Sequence, residues 1–217
     1  MSTQRPERMS NIAQAAEWRL LSLLFERPQE AWRRELAALA QEVHDTELRT
    51  AVAAAQDATE GVYMAVLGPG GVVSPREVTY CSFEDPGRIL ADLAGFYEAF
   101  GFHPHADDPI DHVAVETGFV GYLLLKEEFA RLHGDDAAVE ISATARQRFL
   151  ETHLSPLAGP FAERLSASGS GHLAQAARLL VARVPKTISS ATGLDHADAF
   201  SSCGGCSFDE HASEEDL

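Results

Sequence analysis

The sequence predicts an all-α protein, and three observations carry that expectation. Apolar residues recur at helical spacing through most of residues 10–185. Proline, glycine and capping residues cut that pattern into segments of helix length. Strand signals are few and short.

The elements follow in order. From Ser10, the residues Ile12, Ala16, Leu20, Leu23 and Leu24 keep helical spacing, and Trp18, Leu21 and Phe25 add bulk. This helix stops near Arg27-Pro28, because proline disfavours helix in the residue before it. A second helix spans about residues 28–43, with Trp32, Leu36, Leu39 and Val43 on one face. A third, rich in alanine, spans about 45–59, with Asp45 or Thr46 as its cap. Val62, Met64, Val66 and Leu67 then lead into Gly68-Pro69-Gly70-Gly71, and we expect an ordered loop there, Val72-Val73 included. Helix returns over about 86–101 with Ile89, Leu93, Phe96, Tyr97 and Phe100 inward, and Gly101 suits its C-terminal end.

Residues 107–132 form the most apolar helix of the chain. Local chemistry gives it a good start, with Asp108 as N-cap, Pro109 as first helical residue and Asp111 as the acid at the third position. Val115, Phe119, Tyr122, Leu123 and Phe129 recur at helical spacing. Val113, Val120, Leu124 and Leu125 widen the face, which predicts a central helix packed on more than one side. Asp135 or Asp136 starts another helix, with Val139, Ile141, Ala145, Phe149 and Leu150 along it. Leu154-Ser155-Pro156 restarts the chain as a shorter helix, and a last one spans about 172–184 before Pro185. The expected organisation is an N-terminal lobe over about 10–102, a connector over 103–110, a C-terminal lobe over 111–185, and a tail over 186–217.

The chain has 217 residues and a net charge of −16, from 17 basic and 33 acidic side chains. Such a balance argues against nucleic acid and anionic membrane surfaces, and it suits a basic partner rich in arginine. No run is long and apolar enough to span a bilayer, and residues 1–14 lack the apolar core of a secretory signal. Three cysteines, two of them in the tail, give no disulfide framework. The cytoplasm is the expected compartment. After Lys186 no Lys or Arg remains while seven acids follow. That tail buries too little to offset its ordering entropy, so we expect disorder.

Asp108-Pro109-Ile110-Asp111-His112 resembles the E-P-x-D-H motif of the TorD/DmsD/NarJ family. Upstream, Leu67-Gly68-Pro69-Gly70 and Ser74-Pro75-Arg76-Glu77-Val78-Thr79-Tyr80 resemble that family's second signature, a Gly-Pro loop followed by S-P-Y-E-S-V-Y. Phe96-Tyr97 and Gly101-Phe102 resemble its Y-x-x-x-G-(L/F) approach. The likeness covers about residues 11–185. Asp108 stands where Glu is usual, one methylene shorter, and Arg76 where Tyr is usual. The resemblance implies a TorD-like helical bundle and a cytoplasmic maturation chaperone for a molybdopterin oxidoreductase. Such a chaperone binds the catalytic subunit, often at a twin-arginine leader, and holds it for cofactor insertion before assembly or export. It further implies that Asp108, Pro109, Asp111 and His112 bind the client or couple binding to movement of the lobes, with Tyr80 bordering the same groove.

Each of these residues also has a plainer role. Asp-Pro-x-Asp is what a helix start needs whatever the function, and Tyr80 suits a packed ring with a satisfied hydroxyl. His112 adds something capping does not require. At the first turn the helix dipole disfavours its protonation. Glu116, one turn on, reads as an exposed helix acid, and Cys81 as a partly buried core thiol. The glycines form no nucleotide loop, since no Lys-Ser/Thr follows and no strand precedes them. His103-Pro104-His105 reads as connector and not as a metal cluster.

We expect no enzyme chemistry, no catalytic residue, no resident cofactor and no metal. There is no nucleophile elbow, and the carboxylates are generic. The alternative is a metal- or redox-responsive protein working through Cys203-Gly204-Gly205-Cys206 in the tail. The oligomeric expectation is a monomer or a domain-swapped dimer, since a connector between lobes permits exchange.

Overall fold

The computed structural model describes residues 10–81, 84–104 and 109–186. Asp108, Cys203, Cys206 and the acidic tail therefore lie outside the described residues. Within them the chain is helical, without a strand. Its one β-type contact is an isolated antiparallel bridge between Arg76 and His112.

Most helices begin where local chemistry places them. Ser10 accepts from the Ala13 amide and caps α1 (Asn11–Phe25). The second helix, α2 (Glu30–Glu42), turns back on α1, and the buried Trp32 indole donates to the Leu23 carbonyl at 2.7 Å. Asp45 accepts from the Glu47 and Leu48 amides at 2.8 and 3.0 Å and caps α3 (Thr46–Ala54). Asp85 caps α5 (Pro86–Phe100), which ends at Gly101 with φ +66°, a left-handed conformation that suits glycine. Asp135 caps α7 (Asp136–Phe149) through the Ala138 amide at 2.9 Å.

Two features differ from expectation. Residues 60–66, expected in an ordered loop, form a short helix α4 (Glu60–Val66), capped by Thr59 at the Val62 amide. The central helix α6 (Val113–Leu132) begins later than the Asp-Pro pair suggested, and its N-cap is His112. Past α7, one wide π turn at Leu150–Leu154 leads directly into α8 (Ser155–Ala167). Pro156 lacks the N–H that would continue the regular ladder there. The last helix, α9 (Gly171–Arg183), lies on α8, α3 and α1.

The fold is built around α6, which lies along α1 on one side and α7 on another. Two glycines set the α1 distance. A β-carbon on Gly121 would stand 3.2 Å from the Ala15 carbonyl, and one on Gly118 would stand 3.2 Å from Ser22 Oγ. On the α5 and α7 side, Phe119 is fully buried among aromatic rings, its centroid 4.8 Å from Phe149, 4.9 Å from Tyr97 and 5.2 Å from Phe102. One hydrophobic core runs from α1 to α9 and includes residues on both sides of residues 103–110. The apolar face of α6 is narrower at its far end than the sequence suggested. Leu125 is 49 % exposed and Phe129 62 %, and Ile141 of α7 is likewise exposed.

Phe119 is the centre of the aromatic cluster, so its truncation leaves a cavity that several rings cannot close. We predict that Phe119→Ala lowers stability by about 3–5 kcal/mol, read from the urea midpoint. A loss under about 1 kcal/mol would show that the rings collapse into the space.

Candidate functional site

The two signature segments meet in space. After α4 the chain turns through Gly68 and Gly71, where neither position has room for a side chain. A β-carbon would stand 2.7 Å from Met64 Cα at the first and 2.6 Å from the Val66 carbonyl oxygen at the second. The turn delivers residues 74–80 alongside residues 109–113. The Glu77 amide donates to the Asp111 carbonyl at 2.9 Å, and the Val113 amide to the Pro75 carbonyl at 2.9 Å.

Asp111 locks this pairing. Its carboxylate is fully buried, and Oδ1 accepts from both Nε and Nη2 of Arg76, each at 2.8 Å. Oδ2 lies 3.5 Å from the Val78 amide. Asp111 is therefore not the acid of a helix first turn. It is turned away from α6 towards a cation 35 residues upstream.

His112 takes the cap instead. Its Nδ1 accepts from the Ala114 amide at 3.1 Å, so Nδ1 carries no proton. The ring proton then sits on Nε2, which faces the Tyr63 hydroxyl at 3.3 Å.

Pro109 is exposed. Together with His112, Arg76, Tyr63 and the glycine turn it lines a groove of about 650 Å³. Tyr80 stands behind that groove and does not line it. Its hydroxyl donates to the Ser74 carbonyl at 2.6 Å, and its ring meets Phe161 edge-on under the Arg164 guanidinium. The structure thus joins Pro109, Asp111 and His112 to the second signature.

Sequence reasoning missed a polar cluster beneath this junction. Glu77 is 1 % exposed, and both its oxygens lie 3.1 Å from His153 Nδ1. His153 Nε2 lies 3.2 Å from Asp92 of α5, so each ring nitrogen faces a carboxylate. The π turn carries His153, and nothing in the sequence around it marks the residue.

Glu116, expected as an exposed helix acid, is fully buried instead, and neither carboxyl oxygen has a hydrogen-bond partner. The reason is the packing of α6, whose first turn has no solvent face. Burial pushes the Glu116 carboxyl well above its ordinary pKa, and the charges of Glu77 and Asp111 push the same way. Burial likewise pushes the half-buried Cys81 thiol up to about 11, helped by Glu77, Glu84 and Glu116. It is a packing thiol and not a nucleophile at neutral pH.

Arg76 did carry a signal, as the only Lys or Arg between Arg49 and Arg88. Among the described residues no group of three or more His, Cys, Asp or Glu side chains is arranged to hold a metal ion, and no helix is long and apolar enough to cross a membrane.

A family model for the nitrate reductase delta subunit matches residues 26–163, which include both signature segments and the polar cluster beneath them. No curated protein and no solved structure matches the chain.

Glu116 keeps its proton to higher pH in the fold than in the unfolded chain, which ionises it above the ordinary carboxylate range. Stability therefore falls as pH rises from that range towards the raised value. We predict that Glu116→Leu stabilises the chain by about 1–3 kcal/mol at pH 8 and by less at pH 5, from urea midpoints at both. Equal stability of variant and parent at pH 8 would show that the carboxyl has a partner in solution.

Proposed function

The chain belongs to the nitrate reductase delta subunit family, whose members are maturation chaperones of molybdenum enzymes, and on that footing we propose its particular task. It binds the catalytic subunit of a molybdopterin oxidoreductase through that subunit's N-terminal leader. It holds the subunit while the cofactor is inserted and releases it for assembly or export. It does this in the cytoplasm, as a binding protein and not as an enzyme.

The family match carries the reading, because it spans the segment in which the two signatures dock. The physical character of the chain supports it. A leader with paired arginines needs carboxylates, which accept charge-assisted, bidentate bonds from guanidinium. This chain has 33 acids against 17 bases. An apolar leader segment needs a trough between packed elements, and the chain offers grooves beside α6. In this reading Pro109 and His112 meet the client, Asp111 and Arg76 hold the wall that presents them, and Tyr80 braces that wall from behind.

The test is capture of the client. The tagged full chain is expressed in its own host, and the partner is identified after affinity purification. We predict that a molybdenum-enzyme catalytic subunit predominates, that deleting its leader removes it, and that half-molar salt lowers its yield. A catalytic subunit that is expressed but never captured would overturn the proposal.

A further inference from the structure

A second groove, of about 490 Å³, runs between α1 and α6, with Phe102 and Tyr122 of the aromatic cluster on one wall. Its floor is small, with Ala15 and Ala16 of α1 opposite Gly118 and Gly121 of α6. Ile12 and Leu125 stand at one mouth, 55 % and 49 % exposed. Beyond them Phe129 and Leu132 continue the same face of α6, also exposed.

The other end is acidic and already holds a guanidinium. Arg19 Nη1 donates to Glu26 Oε1 at 2.6 Å, while Nε and Nη2 donate to Glu35 Oε1 at 3.0 and 2.8 Å. All three side chains are partly open to solvent. From Glu26 to Ile12 is about 21 Å along α1, at the rise of an α-helix. Over those four turns the groove passes from the exposed Ile12 to the Glu26 carboxylate, and Glu35 lies beside it on the other side of the Arg19 guanidinium.

Arg19 sits where a guest arginine would sit. The clamp has the geometry of a guanidinium site, with two acids for one cation, in a chain of net charge −16. Exchanging one guanidinium for another keeps both carboxylates paired and adds the apolar contact of whatever follows the guest. A second copy of this chain fits less well, since it would bring a further −16 to the same face.

We propose that this groove seats the leader of the catalytic subunit, and that Arg19 holds the place of a leader arginine until the leader displaces it. The inference rests on the function proposed above and deepens it by naming the surface and the exchange. It makes an unusual demand. Removing a basic residue from the binding face must strengthen binding of a basic peptide.

The experiment is fluorescence anisotropy with the purified full chain and a labelled 25-residue peptide, the leader of the captured subunit with its arginine pair. A second peptide carries glutamine in place of both arginines. Arg19→Gln is expected to bind the arginine peptide about three-fold more tightly than the parent, with no gain for the glutamine peptide. The double variant E26Q/E35Q is expected to bind it about five-fold more weakly, and Leu125→Glu about ten-fold more weakly. Circular dichroism melts unchanged from the parent establish that these surface variants fold.

Weaker or unchanged binding by Arg19→Gln overturns the exchange, and full affinity in Leu125→Glu overturns the groove. A dimer by light scattering that Leu125→Glu dissociates assigns this face to a second copy and overturns the proposal. If the parent captures the subunit and its leader peptide binds all variants alike, this inference fails and the chaperone function stands; if the leader peptide does not bind, this inference and the leader part of that function both fail. If the parent captures no catalytic subunit, that function fails and this inference with it.

Discussion

The buried carboxylate of Asp111 is the constraint on which the rest of the site depends. It is fully enclosed, and desolvating a carboxylate costs several kcal/mol unless its lone pairs are filled. Arg76 fills one oxygen twice over, with the guanidinium head itself still partly in water. The charge pair therefore leaves the cation hydrated and the anion buried, which lowers the cost of the arrangement. What it secures is position. The segment after the glycine turn has only one short 3-10 turn, Glu77–Thr79, and two backbone bonds, at Glu77 and Val113, join it to residues 111–113. Among the described residues, no other charged side chain ties the loop to the start of α6.

Once the loop is held, it places Glu77 inward against His153, and His153 reaches Asp92 of α5. Three separate parts of the chain thus meet through one imidazole. The wide π turn lets this happen, since a regular helix through residues 150–154 would carry His153 round by a different angle. Glu116 lies among these groups with its charge suppressed. Burial and the charges of Glu77 and Asp111 raise the Glu116 pKa, as expected when carboxyls crowd in a dry interior, while Arg76 lies against Asp111 and His153 against Glu77.

Much of the fold was legible because it is local. Asp45 and Asp135 start the helices expected of them, Ser10 and Asp85 cap the helices that follow them, and Gly101 takes the left-handed conformation that its place after α5 suggested. The errors were also local chemistry, overruled at a distance. Asp-Pro-x-Asp is a sound helix start, yet Asp111 has a better partner 35 residues away and His112 caps in its stead. Val62, Met64 and Val66 alternate like a weak strand, which hid a helix of seven residues with a good threonine cap. Glu116 and Phe129 exchange the environments their types suggest. Burial of a charged residue and exposure of an apolar one depend on which neighbours arrive, and periodicity along one helix does not name them.

The two grooves beside α6 share a turn of backbone. The amide of Ala114 donates to His112, which lines the groove beside the signature loop. The carbonyl of the same residue accepts from Ser22, which lines the groove beside α1 and also contacts Arg19. Ala114 thus has one peptide group bonded towards each groove, in a fully buried first turn. Residues that meet a partner in one groove are separated from those in the other by two hydrogen bonds and no flexible side chain longer than serine or histidine. Such contiguity does not by itself make a switch, which also requires two states that differ in these bonds. It does mean that a peptide pressing on Ser22 and one pressing on His112 bear on the same helix start, and that this start is held by the Asp111 pairing on one side and by the glycine contacts with α1 on the other.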